Sequence, residues 1–122
     1  MNRVELIGRL GRDPETATTQ SGDLVANLSI ATDEQFKNSS GVKETRVEWH
    51  RVVIWTKGLA EFAQEYLRKG DPVFIAGTLR TRKWSDSDGV DRWSTEVVLS
   101  GPQAVLNSLA AKRDEGEGRA AA

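Results

Sequence analysis

Residues 78–100 read TLRTRKWSDSDGVDRWSTEVVLS, two alternating runs joined by the turn-forming Asp-Ser-Asp-Gly. Successive side chains of an extended strand point to opposite sides. Thr78, Arg80, Arg82 and Trp84 therefore share one face, while Leu79 and Thr81 share the other. Upstream, Val73, Ile75 and Gly77 continue the Leu79 face, so this strand has one apolar side and one side of arginines ending in an indole. The return run, residues 92–100, alternates Trp93, Thr95, Val97 and Leu99, a pattern that predicts burial for Trp93. Six residues of turn, DSDGVD (86–91), resemble a calcium loop only faintly. The glycine comes too early for the helix-loop-helix pattern, and a turn between strands accounts for them.

The remaining segments alternate or turn in the same way around this pair. Residues 3–10 put Val4, Leu6, Gly8 and Leu10 on one side of a first strand. Asp-Pro and Ser-Gly punctuate 11–23 as turns. LVANLSIAT (24–32) alternates again, and DEQFKNSSG (33–41) reads as a hairpin loop carrying Phe36. A third strand runs from Lys43 to about Lys57, with Val47, Trp49, Arg51, Val53, Trp55 and Lys57 on one face and Glu48, His50, Val52 and Ile54 on the other. Leu59, Phe62, Ala63, Tyr66 and Leu67 then follow the helical spacing i, i+3, i+4, i+7, i+8, which predicts a helix over 58–70. Three strands, one helix and two strands is the element order of an all-β, five-stranded Greek-key barrel of the OB-fold type, with its helix between strands 3 and 4. Such barrels bind oligonucleotides or oligosaccharides.

Composition sets the outer bounds. The chain has 122 residues, 38% hydrophobic and 29% charged, which suits one domain with a single core, placed at 1–110. It has no cysteine, hence no disulfide framework and no thiolate metal site. No apolar run approaches a membrane span, and the first residues lack a signal-peptide core. A cytoplasmic location is expected, and the two N-glycosylation patterns at Asn27 and Asn38 are read as chance. Lys and Arg number 17 against 18 Asp and Glu, so the net charge of −1 gives no bulk attraction for a polyanion. Any such site must come from local placement, and residues 73–85 carry three cations and no acid.

Two strand faces thus mix indoles with cations. Nucleobases stack on aromatic rings at about 1–3 kcal/mol each while cations track phosphates. For Trp49, Trp55 and Trp84 the competing reading is burial in the core; the arginines alternating with Trp84 argue against it there. Phe36, in a polar loop, suits an aromatic poised over a groove better than a core residue. His50 is the only histidine, too few for a zinc site, and reads as hydrogen-bonded or interfacial. No nucleotide-loop, nucleophile-elbow or metalloprotease motif occurs and no acid–base pair emerges, so no catalysis and no cofactor are expected.

The stretches EWHRVVIW (48–55), EYLRKGDPVFIAGTLRTRKW (65–84) and DRWSTEVVL (91–99), with GRLGRDPE (8–15) and VANLSIAT (25–32), resemble bacterial-type single-stranded DNA-binding proteins over about residues 1–99. The resemblance implies an OB-fold homotetramer that wraps single-stranded DNA with little sequence preference, in replication, recombination and repair. It implies stacking by Phe36, Trp49, Trp55 and Trp84; family members often carry tryptophan at the first of these and phenylalanine at the third. Arg3, Arg51, Lys57, Lys69, Arg80, Arg82, Lys83 and Arg92 match DNA-contacting positions, and His50 matches a subunit contact. The chain departs from the family at its end. An acidic, hydrophobic tip that recruits partner proteins is typical, whereas residues 111–122 hold three cations, three acids and no aromatic. That segment is expected to be disordered, and recruitment through it is not expected. An OB-fold adaptor for protein or oligosaccharide is the alternative reading, and a metal-dependent nuclease is a more distant one.

Overall fold

The computed structural model describes residues 1–110; the expected disorder of 111–122 and the absence of recruitment through that segment lie outside the described residues. Its elements are β1 (Val4–Leu10), β2 (Glu15–Thr18), β3 (Leu24–Lys37), β4 (Lys43–Ile54), α1 (Lys57–Tyr66), β5 (Pro72–Ser85), β6 (Asp91–Leu99) and β7 (Val105–Ser108). Strand order β1-β3-β4-β6-β5, with β1 pairing back onto β5, closes the predicted five-stranded barrel. β2 lies along β3 and β7 along β5 as additions outside that circuit.

Closure depends on close backbone approach. β1 pairs with β5 from Val4↔Gly77 to Arg9↔Pro72 and also reaches β3 at Leu10↔Ile30. A side chain at Gly8 would collide with the Ala31 carbonyl, and one at Gly77 with the Val98 carbonyl. Both glycines therefore sit where a strand must press against its neighbour to turn the barrel corner. The inward residues are those the alternation selected: Leu10, Leu28, Ile30, Val52, Ile54, Val73, Ile75, Val97 and Leu99 are buried together. Each large aliphatic among them contributes about 1.5–3 kcal/mol through burial. Helix α1 adds Ala60 and Ala63 to the same core.

Several segments differ from expectation. The helix ends at Tyr66 rather than near 70, because Leu67 turns inward in extended conformation and is fully buried. Arg68 then folds back and donates to the carbonyls of Gln64, Glu65 and Leu67, satisfying orphan acceptors at the helix end. Residues 33–37 are strand, not loop: β3 pairs with β4 out to Lys37↔Lys43, leaving only residues 38–42 as the connection. There Asn38 Oδ1 accepts from the N–H groups of Ser40 and Val42. Phe36 accordingly lies on a strand arm. Residues 15–18, expected as turn, form β2 by taking up the outer edge of β3.

The main correction is Trp93, which is 64% exposed. The alternation gave its side correctly, since it shares a face with the buried Val97 and Leu99. Beyond Val97 the β5–β6 hairpin leaves the barrel, so nothing of the core covers that face. Replacing Trp93 by alanine should therefore shift unfolding free energy by no more than about 1 kcal/mol, far from the roughly 3–5 kcal/mol of a buried aromatic. Gly77→Val should cost about 1–3 kcal/mol through forced backbone displacement. Urea unfolding of the two variants beside the parent chain checks both values.

Candidate nucleic-acid interface

The projecting β5–β6 hairpin has two distinct sides, because directly opposed residues of an antiparallel pair share a face. The pairs Arg80↔Glu96, Arg82↔Ser94 and Trp84↔Arg92 lie on one side. Leu79↔Val97, Thr81↔Thr95 and Lys83↔Trp93 lie on the other. On the first side the Trp84 indole N–H donates to Ser94 Oγ at 2.8 Å, which fixes the ring edge and leaves the ring face partly open. At the tip, Asp86 accepts from the N–H groups of Asp88 and Val90 and from Arg92 Nε at 3.0 Å. The Val90 N–H first, then the Arg92 guanidinium, hold the Asp86 carboxyl below its ordinary value of 3.8, against the opposing effect of desolvation.

Strand β4 extends the same side across the barrel. Arg51 and Val53 of the strand and Trp55 just past its end alternate on this side, and Val53 and Trp55 line a groove of about 620 Å³ together with Val25, Asn27, Arg80, Thr81, Arg82, Glu96, Val98 and Ser100. Its floor is apolar (Val25, Val53, Val98), its wall is the half-exposed Trp55, and its rim holds the arginines. Glu96 sits within it, only 7% exposed, with Arg82 Nε 3.1 Å and Arg51 Nη1 3.7 Å from the same oxygen, Oε2. Arg80 has no side-chain hydrogen bond or ion pair among the described residues.

The other predicted positions are spread around this surface. Trp49, exposed and opposite Ala31, lays its ring over Gly11, where any side chain would strike it. Nearby, the Lys69 N–H donates to Asp13 Oδ1. Arg3 lies beyond Ser100, beside Gly77 and Thr78, and pairs with Glu5 at 2.9 Å. Lys57 is not on the β4 face: the strand stops at Ile54, and Lys57 is the first residue of α1. Lys83 faces away from Trp84, 3.2 Å from Asp91 and 5.9 Å from the Trp93 ring centroid. Phe36 pairs with Glu44, a register that puts it on the His50 side of the β3–β4 ribbon, opposite the Trp49 side. The Arg46 guanidinium stacks over Phe36 at 4.8 Å, and His50 Nε2 lies 2.8 Å from Thr32 Oγ1. Sequence reasoning missed Arg46, Ser94, Glu96 and Gly11. The first three are visible only through cross-strand register, and Gly11 only through the packing of Trp49 upon it.

Fold and surface together define an OB-fold protein whose outer strand face alternates indoles with guanidinium groups. The model of the single-strand binding protein family matches residues 1–105, and the chain belongs to that family. It is similar to a single-stranded DNA-binding protein of Rhizobium meliloti (strain 1021), 45% identical over 119 residues, which cover 97% of this chain and 68% of the relative. Among solved structures it is similar to a Plasmodium falciparum SSB in complex with ssDNA, with TM-score 0.86 and 33% identity over 90% of this chain and 96% of the other. A deletion mutant of the single-stranded DNA binding protein from Thermus aquaticus matches with TM-score 0.76 and 28% identity, covering 92% of this chain and 52% of that one.

The lowered Asp86 carboxyl makes the hairpin tip sensitive to acid. A depressed folded value stabilises the tip fully above the ordinary range, and that contribution is lost as pH falls through the lowered value. In an NMR titration the Val90 amide should therefore shift with a midpoint below 3.8, the ordinary value for this group. A midpoint at or above 3.8 would mean that the tip hydrogen bonds do not form in solution.

Proposed function

We propose that this chain binds and protects single-stranded DNA during replication, recombination and repair, with little sequence preference and no catalysis. Bases stack on Trp49, Trp55 and Trp84, while Arg51, Arg80, Arg82 and Arg92 meet the phosphates. The observation that carries this is one open groove on which Trp55, Arg80 and Arg82 converge, continued along the hairpin by Trp84. Arg3 and Lys69 extend the path at its two ends. Lys57 at the start of α1, Lys83 on the far side of the hairpin and Phe36 with Arg46 on the β3–β4 arm are further contacts for a strand that wraps more than one face.

Wrapping also requires more than one barrel, because a single OB-fold tracks only about 4–16 nucleotides. The protein assembles as a homotetramer in this reading. The face bearing His50, Thr32 and the exposed Ile7 is its subunit contact. An exposed isoleucine beside a fixed histidine is surface that a second copy would cover. Among the described residues no helix is long and apolar enough to cross a membrane, and the proposed setting is the cytoplasm.

Titration of tryptophan fluorescence with oligo-dT at several salt concentrations tests the proposal. Strong quenching with salt-dependent affinity is expected; an absence of quenching at low salt would favour the adaptor reading. Trp84→Ala should weaken binding by about 1–3 kcal/mol per site with the fold intact. Arg80→Ala should make the plot of log K against log salt shallower by about 0.7, the value for one phosphate on a single strand. Light scattering at micromolar concentration should return a tetramer mass, and a monomer mass would overturn the assembly.

A further inference from the structure

A carboxylate in the middle of a polyanion groove repels the ligand, and burying it is unfavourable unless it is paired. Glu96 is such a carboxylate. It is nearly enclosed, yet the side chains of the two arginines that meet its Oε2 are each 56% exposed. Its position in the fold is specific. β4 and β6 run parallel only from Val52↔Val97 to Ile54↔Leu99, and Arg51 and Glu96 are the residues immediately before the first of these pairs. The ion pair therefore stands at the fork where the two strands separate into their arms. Arg82 reaches the same oxygen from β5, so one anion joins three strands.

We propose that Glu96 is an internal anion that positions Arg51 and Arg82 and neutralises one of their two charges, so that it limits both the affinity and the salt dependence of DNA binding. This rests on the reading of the groove as the single-stranded DNA site. Two guanidinium groups and one carboxylate leave one net positive charge for phosphates, where the arginines alone would offer two. Arg80, directly opposite Glu96 in register but not bonded to it, keeps its full charge for the ligand.

The test is Glu96→Gln, whose amide oxygen can still accept from Arg82 Nε and whose shape is nearly unchanged. Oligo-dT titrations across a salt series should show a slope steeper by about 0.7 and binding about fivefold tighter at 0.1 M salt, the gain expected per added phosphate contact. Arg82→Gln alone should make the slope shallower by about 0.7, and adding Glu96→Gln to it should restore the parent slope. That second comparison reads the same effect with no surplus charge at the fork, and it applies even where the single Glu96 variant does not fold. Slopes left unchanged or made shallower by Glu96→Gln in both backgrounds would overturn the inference and leave Glu96 as framework only. Failure of the parent chain itself to bind oligo-dT would overturn the groove reading and this inference with it.

Discussion

Val52, Val53 and Ile54 of β4 run parallel to Val97, Val98 and Leu99 of β6, and this short contact joins the two halves of the barrel. It is the only parallel pairing among the described strands, and the rest of the molecule is arranged around it. Inward residues of both strands supply the centre of the core, while Val53 and Val98 turn outward to floor the groove. Past Val52 and Val97 the strands part, β4 continuing with β3 and β6 with β5 as two projecting ribbons. The aromatic and cationic side chains lie on those ribbons and in the angle between them. A barrel that closed further along would bury the positions that carry the indoles; one that closed less would lose its core.

The net charge of −1 has a local counterpart. Most of the candidate phosphate-binding cations are held by a carboxylate: Arg3 by Glu5, Arg51 and Arg82 by Glu96, Lys83 by Asp91, Arg92 by Asp86. Exposed pairs of this kind contribute only about 0–1 kcal/mol, so exchanging a carboxylate for a phosphate costs little. Glu96 differs from the others because it is enclosed and shared. The proposed surface is thus only partly charged.

In the proposed site the three tryptophans are positioned by different means. Trp84 is tethered through its N–H to Ser94 across the hairpin. Trp49 rests on a glycine, so the absence of a side chain at residue 11 sets its height. Trp55 stands just past the end of β4, where its backbone N–H donates to the Leu99 carbonyl and fixes the main chain rather than the ring. The Trp84 ring is held at one edge and the Trp49 ring on one face, and all three rings remain partly exposed.

The barrel, its helix and the Arg80–Arg82–Trp84 face were legible in the chain because alternation of period two is a local property, fixed by backbone geometry wherever a strand forms. The family resemblance likewise rested on short local runs. Local pattern states which side a residue faces; it does not state whether another element lies on that side. Trp93 alternates with core valine and leucine yet stands in the open, because the hairpin outruns the barrel. Phe36 reads as loop because its neighbours are polar, yet pairing with β4 makes it strand and sets it beside Arg46. Lys83 alternates away from Trp84, and only cross-strand register sets it beside Asp91 and Trp93. Glu96 looks like one more polar residue of a half-exposed strand, and only the meeting of β4, β5 and β6 surrounds it with guanidinium groups. Facing is decided within a strand, whereas cover, partners and charge neighbours are decided between strands, by registers that no single segment contains.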